Sequence, residues 1–134
     1  MSTDGHQLTS IGTGFVHPVG ADVDPHGAIY VDDECGGDVW QVHPDGTRTK
    51  AAPAVMPDDV SPDGFGNLVV TDVRHTRHDV TRTAIATGAT TTLARTGLIE
   101  PQGLVIDSSG RIFVSDHLAD VIIELTPCGV SPAL

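Results

Sequence analysis

The sequence predicts an all-β chain built from three copies of one four-stranded unit. Three observations predict it. Pro, Asp, Gly and Asp recur in the same order in "PVGADVDPHGAIYVDD" (Pro18–Asp33), "PDDVSPDGFGNLVVTD" (Pro57–Asp72) and "PQGLVIDSSGRIFVSD" (Pro101–Asp116). Short runs rich in Val, Ile and aromatic residues sit between turn residues, as strands do. No segment of useful length carries the apolar period of a helix.

The three segments align without gaps. Asp follows Pro by six residues (Asp24, Asp63, Asp107), Gly by nine (Gly27, Gly66, Gly110) and a second Asp by fifteen (Asp33, Asp72, Asp116). The copies start 39 and 44 residues apart (57 − 18 and 101 − 57). Both periods are near the length of one four-stranded propeller blade. The likeness continues in "DVWQVHPDG" (Asp38–Gly46), "DVTRTAIATG" (Asp79–Gly88) and "DVIIELTPCG" (Asp120–Gly129), and in the links "TGFVHP" and "TGLIEP". The units are predicted at about 13–53, 54–95 and 96–134, with 8–12 as an outer strand of a neighbouring blade.

Each element has a local cause. Pro opens the first strand of a unit by fixing φ where no ladder partner is needed. The first Asp and the Gly form a tight turn, with Gly supplying the positive φ. The second strand follows, as "AIYV", "NLVV" or "RIFV". The second Asp ends it, placed to accept N–H bonds from the loop that follows. A third strand and a Thr-rich fourth strand ("TRTK", "ATTTLA") complete the unit. All six Asp residues are therefore expected to serve the backbone. Pro62 stands where Val23 and Ile106 stand in the other units, so the second blade is expected to be irregular. Trp40, on a third strand, is expected to pack between blades.

Seven basic against eighteen acidic side chains give a net charge of −11. That excludes sequence-independent nucleic-acid binding, which needs Lys and Arg to replace counterions, and argues against anionic membranes. The polar N-terminus "MSTDGHQL" has no apolar stretch of the signal-peptide kind, which predicts a cytoplasmic protein. Cys35 and Cys128 are too few for a disulfide framework and are expected to be free thiols. Phosphate-cradling, dinucleotide and nucleophile-elbow motifs are absent. "DPHGAIYVDDE" lacks the third- and fifth-position acids of an EF-hand loop and belongs to a hairpin.

The pattern P-x-G-x-x-x-D-x-x-G-x-[IL]-x-V-x-D, followed by an apolar strand and a P-x-G turn, resembles NHL-type β-propeller repeats. It is also similar to blades of the gluconolactonase and senescence-marker-protein group and of the streptogramin lyases. The resemblance runs from about Leu8 onward and implies the fold far more than the activity. Closed rings typically hold about four to eight blades. Three blades leave apolar end faces, so the expected assembly is a homodimer, three blades plus three, closing a six-bladed ring. A piece of a longer propeller is the alternative.

The resemblance also implies where a ligand sits: at one channel end, among loops that precede the first strand and follow the second. Gluconolactonase-like propellers hold a divalent metal there through oxygen donors, one from the residue after the motif Pro. Here that position is Val19, Asp58 and Gln102, so Asp58 and Gln102, with Asp59, are the candidate ligands for Ca²⁺. Val19 cannot ligate. Streptogramin-lyase-like propellers pair His with Glu for acid–base work. His17 and Glu100 occupy equivalent pre-Pro positions and His117 follows Asp116, which makes these three the catalytic candidates. His75 and His78, among Arg74 and Arg77, form a further polar loop. Two functions are expected to compete: binding a small oxygen-rich molecule, with gluconolactonase-like opening of a lactone or ester, or an NHL-type interaction module without chemistry. A truncated remnant is the third reading.

Overall fold

The computed structural model describes residues 5–74 and 78–126. Eleven strands form three antiparallel sheets, each a meander in sequence order, and the described residues contain no helix. The first sheet is β1 (Pro18–Val23), β2 (Ile29–Asp33), β3 (Val39–Val42) and β4 (Arg48–Ala52). The second is β5 (Pro57–Pro62), β6 (Asn67–Asp72), β7 (Asp79–Ala84) and β8 (Thr90–Ala94). The third is β9 (Pro101–Ile106), β10 (Ile112–Asp116) and β11 (Val121–Leu125). The fourth strand expected of this unit, after Gly129, lies outside the described residues, as do Cys128 and Gly129. The first strands of the three sheets lie side by side, β1 against β5 and β5 against β9.

The second sheet is covered on both faces. Strand alternation sends Leu68 and Val70 toward the first sheet, where Tyr30, Val39, Ala52 and Val60 complete a core. It sends Val69 the other way, with Val80, against Ile112 and Val114 of the third. A strand buried on both faces has no polar alternation, which is why "NLVV" is a continuous apolar run.

The six repeated Asp residues serve the backbone, as expected. Asp24, Asp63 and Asp107 close the β1–β2, β5–β6 and β9–β10 turns by accepting two N–H bonds each, for example His26 and Ala28 on Asp24 Oδ1, both at 2.9 Å. Gly27 and Gly110 carry the positive φ these turns need, 86° and 88°. Asp33, Asp72 and Asp116 bond in a direction the sequence did not indicate. Their main donors lie before the motif Pro, not after the second strand. Val16 and His17 donate to Asp33 (2.9 and 2.7 Å), Val55 and Met56 to Asp72 (2.8 and 3.1 Å), and Ile99 and Glu100 to Asp116 (2.7 and 2.9 Å). One N–H from the following loop joins each: Gly36, Arg74 and Ala119.

Two expectations need correction. The second unit is not the irregular one. Pro62 sits opposite Leu68 without a register shift, because β5 is an edge strand and needs no second ladder there. The register shift occurs near the motif Pro in all three units. Trp40 does not pack between the sheets of this chain. Val39 faces the second sheet, so alternation turns Trp40 away, where Arg48 stacks over it and over Phe15 at 4.6 Å each. Residues 8–12, expected as an outer strand of a neighbouring blade, pair with no strand among the described residues of this one chain. Gly12 instead lies against Val42, on the face of the first sheet turned from the second.

Candidate functional site

Each clamp by Asp33, Asp72 or Asp116 fixes the residue before the motif Pro. The residue after the clamp then donates its N–H to that residue's carbonyl: Glu34 to His17, Val73 to Met56 and His117 to Glu100, all at 2.9 Å. The fold thus sets two side chains beside each other at one end of every sheet. In the second sheet they are Met56 and Val73, which carry no acid–base chemistry. In the first they are His17 and Glu34, with His17 Nδ1 to Glu34 Oε2 at 2.7 Å. In the third they are Glu100 and His117, with His117 Nδ1 to Glu100 Oε2 at 3.2 Å. The same His–carboxylate couple is built twice, with the residue types exchanged between the two positions.

Asp58 of the second sheet lies between these couples. Burial raises its pKa, and the negative charges of Glu34, Asp59 and Glu100 raise it further, against a smaller opposing effect of His17. The three sheets therefore bring His17, Asp58, Glu100 and His117 into one electrostatic neighbourhood. Gln102 joins through its Nε2, which donates to Glu100 Oε1 at 3.4 Å.

Asp59 is placed differently. Its Oδ2 accepts Leu104 N–H of the third sheet at 2.8 Å and its Oδ1 accepts its neighbour Val60 N–H at 2.9 Å. It packs against Gly20 of the first sheet, as does Asp32, which is fully buried. Asp32 Oδ1 accepts Gly20 N–H at 3.1 Å, while Oδ2 has no partner. Burial first, then the charges of Asp59 and Asp58, push the Asp32 pKa up to about 7.

A Ca²⁺ ion asks for about six to eight oxygens. Two of the expected ligands carry other contacts in this arc. Val19 has no donor, Gln102 turns its amide nitrogen to Glu100, and Asp59 is engaged by Leu104. Among the described residues the ligand atoms that converge belong to His17, Glu34 and Cys35, all within 4.8 Å of one another. Cys35 is an exposed free thiol, as expected, with Sγ 3.6 Å from His17 Nδ1. His75 and Arg77 lie outside the described residues, and Arg74 pairs with Asp72 at 2.8 Å.

Sequence reasoning gave Asp32 no role and read Cys35 only as a thiol. A signal for Asp32 was present. The repeat puts it level with Thr71 and Ser115, whose hydroxyls bond the backbone of a first strand, Thr71 to Gln102 O at 2.7 Å and Ser115 with Gly103 N–H at 3.1 Å. Asp59 likewise stands where the motif has Gly20 and Gly103. Two acids have replaced two small residues at one packing contact.

No protein-family model matches the chain, and no curated protein matches it in sequence. Solved structures do match in shape. A protein assigned to the gluconolactonases aligns with a TM-score of 0.70 at 21% identity, over 84% of this chain and 47% of its own. The virginiamycin B lyase of Staphylococcus aureus aligns at 0.61 and 15% identity, over 80% and 40%. The nidogen/laminin complex aligns at 0.65 and 20%, over 74% and 39%. The chain folds as an arc of a β-propeller. Its three sheets are blades, and the arc spans less than half the length of each of these structures. His17, Glu34, Asp58, Glu100 and His117 lie together at one end of those blades.

Proposed function

We propose that this blade end binds a small oxygen-rich molecule and opens a lactone or ester in it by general-base hydrolysis. The observation that carries the reading is the Glu100–His117 couple with Asp58 beside it. His117 Nδ1–H donates to Glu100, which leaves Nε2 as the acceptor of a proton from water. The water oxygen bonds to the acyl carbon, and the bond from that carbon to the alkoxy oxygen breaks. Asp58, held protonated to higher pH than a free Asp, is the group suited to give its proton to the leaving oxygen. The likeness in fold to a gluconolactonase-assigned propeller is in keeping with this chemistry. Hydrolysis of a panel of aldonolactones, followed by acid release, tests it. His117→Gln is expected to lower kcat/KM by about 10²–10⁴. No turnover and no thermal shift with any lactone would reject hydrolysis and leave a rim of the NHL type, made for contact alone.

The same reading has a second copy complete the ring. Val105 and Ile122 of the third blade are 55% and 71% exposed, and Val23 of the first is 54% exposed. Strand alternation puts Val105, Phe113 and Ile122 on the face opposite the core residues Ile112 and Val114. An arc with bare apolar end faces is the form that a copy of itself can cap. Light scattering is expected to give about twice the chain mass of 13.9 kDa, and Ile122→Asp to halve it. A folded monomer at every concentration would defeat the assembly.

A further inference from the structure

We propose that His17, Glu34 and Cys35 form a site for a borderline-soft divalent ion of the Zn²⁺ class at the end of the first blade. The proposal goes beyond the hydrolytic reading, no step of which uses these three side chains.

Donor chemistry selects the ion. Imidazole nitrogen, carboxylate oxygen and thiolate sulfur together suit Zn²⁺ and its neighbours rather than the oxygen-seeking Ca²⁺. Geometry agrees. With Zn–N near 2.0–2.1 Å and Zn–S near 2.3 Å, two ligands on a tetrahedron stand about 3.5 Å apart. His17 Nδ1 and Cys35 Sγ are 3.6 Å apart. Glu34 Oε2 is closer to Nδ1, at 2.7 Å, because in this structure the two share a hydrogen bond. An ion replacing that proton has to separate them by roughly 0.7 Å. Glu34 and Cys35 reach this through side-chain rotation, since both end in mobile groups near the surface.

The backbone beneath is not mobile. One buried carboxylate, Asp33, accepts the N–H groups of Val16, His17 and Gly36. Gly37 N–H bonds the Asp33 carbonyl at 2.6 Å, and Glu34 N–H bonds the His17 carbonyl at 2.9 Å. A Cβ at Gly36 would run into the Asp33 carboxylate, so only glycine lets the loop wrap this tightly. The three ligands thus stand on a frame set by Asp33. Three protein ligands leave one tetrahedral position for water, the arrangement of an open rather than a closed zinc site.

The matching places in the third blade show what is specific here. Glu100 and His117 repeat the couple, but Leu118 stands where Cys35 does. The third blade therefore keeps an acid–base pair and the first gains a third ligand.

Cobalt is the test ion, because thiolate–Co²⁺ charge transfer absorbs in the near ultraviolet. The expected result is one Co²⁺ per chain with that band, displaced by Zn²⁺ and not by Ca²⁺. Cys35→Ser is expected to abolish the band and weaken Zn²⁺ binding at least ~10-fold, the loss that even a supporting partner's removal brings. Cys128→Ser is expected to keep both. Glu34→Gln is expected to weaken binding and keep the band. A band that survives Cys35→Ser, no thiolate band at all, or displacement by Ca²⁺ would each overturn the site. The readout needs no substrate, so failure of the lactonase assay leaves it standing, and its own failure leaves that assay untouched.

Discussion

Asp32→Asn is expected to stabilise the chain at pH 8 and to leave it nearly unchanged at pH 4. Asp32 is fully buried, one of its oxygens has no partner, and its pKa stands at about 7 against 3.8 for the free group. Burial is the main cause, with Asp59 and Asp58 adding like charge. The sign follows from linkage. Below about pH 4 both folded and unfolded states hold the proton, and Asp32 takes nothing from stability. Between about 4 and 7 the unfolded state releases the proton and the folded state keeps it, so stability falls as pH rises. Above 7 the folded chain carries a buried, half-satisfied carboxylate, at a cost on the order of 4 kcal/mol. That is a large part of the 5–15 kcal/mol typical of a domain. Asn has the same shape, keeps the oxygen that accepts from Gly20, and cannot ionise. Asp32→Thr, which installs the residue of β6, is expected to act alike. Urea midpoints from pH 4 to 8, with a chelator present, measure it. Parallel curves for variant and wild type would show that Asp32 is not the titrating group.

The clamps act in the opposite direction. Burial alone would raise the pKa of Asp33, Asp72 and Asp116, but their backbone donors outweigh it and hold all three below the usual value. Their contribution is present above about pH 4 and is lost as acid protonates them. With Asp32 falling away on the alkaline side, maximal stability is expected near about pH 4–5, unusually low for a small domain.

What could be read in the sequence was what depends on period and turn chemistry. Fixed offsets of Pro, Asp and Gly located every sheet, and strand alternation then decided which residues form the two cores. Position along a strand also put His17, Glu100 and His117 at one end. The rest depends on contacts between units. Asp33 belongs to β2, yet it holds the segment before β1, seventeen residues back, and no local rule states that direction. The Glu34–His17 and His117–Glu100 couples are consequences of that clamp, so their pairing was invisible while their positions were not. Asp32 and Asp59 sit at places where the repeat itself has a hydroxyl residue and a glycine. Only the packing of β5 against β1 shows that these two departures meet.

Asp72→Ala is expected to be the most damaging single change among the three clamps. Asp72 is 2% exposed and accepts Val55 N–H, Met56 N–H, Arg74 N–H and the Arg74 guanidinium, the last at 2.8 Å. It lies in the central blade, where both faces are covered. Among the described residues Asp33 and Asp116 have no such arginine hydrogen bond, and neither of their blades lies between two others of this chain. Removing Asp72 strands three backbone N–H groups, of Val55, Met56 and Arg74, and leaves the Arg74 guanidinium with the more distant Asp79, at 3.9 Å. Breaking a buried pair by deleting one partner costs about 3–5 kcal/mol. Asp72→Asn keeps one acceptor oxygen and is expected to lose less. Urea unfolding at pH 5 ranks the series, with Asp24→Ala as the comparison in a half-buried turn. Equal losses for Asp72→Ala and Asp24→Ala would mean that the clamp contributes no more than an ordinary turn. A different readout separates Asp116→Ala from Asp24→Ala. Asp116 sets the backbone that pairs Glu100 with His117, so its loss is expected to cut lactone turnover beyond what unfolding explains. Asp24 closes the β1–β2 turn at the opposite end of its blade, so its variant is expected to lose activity only in step with the folded fraction.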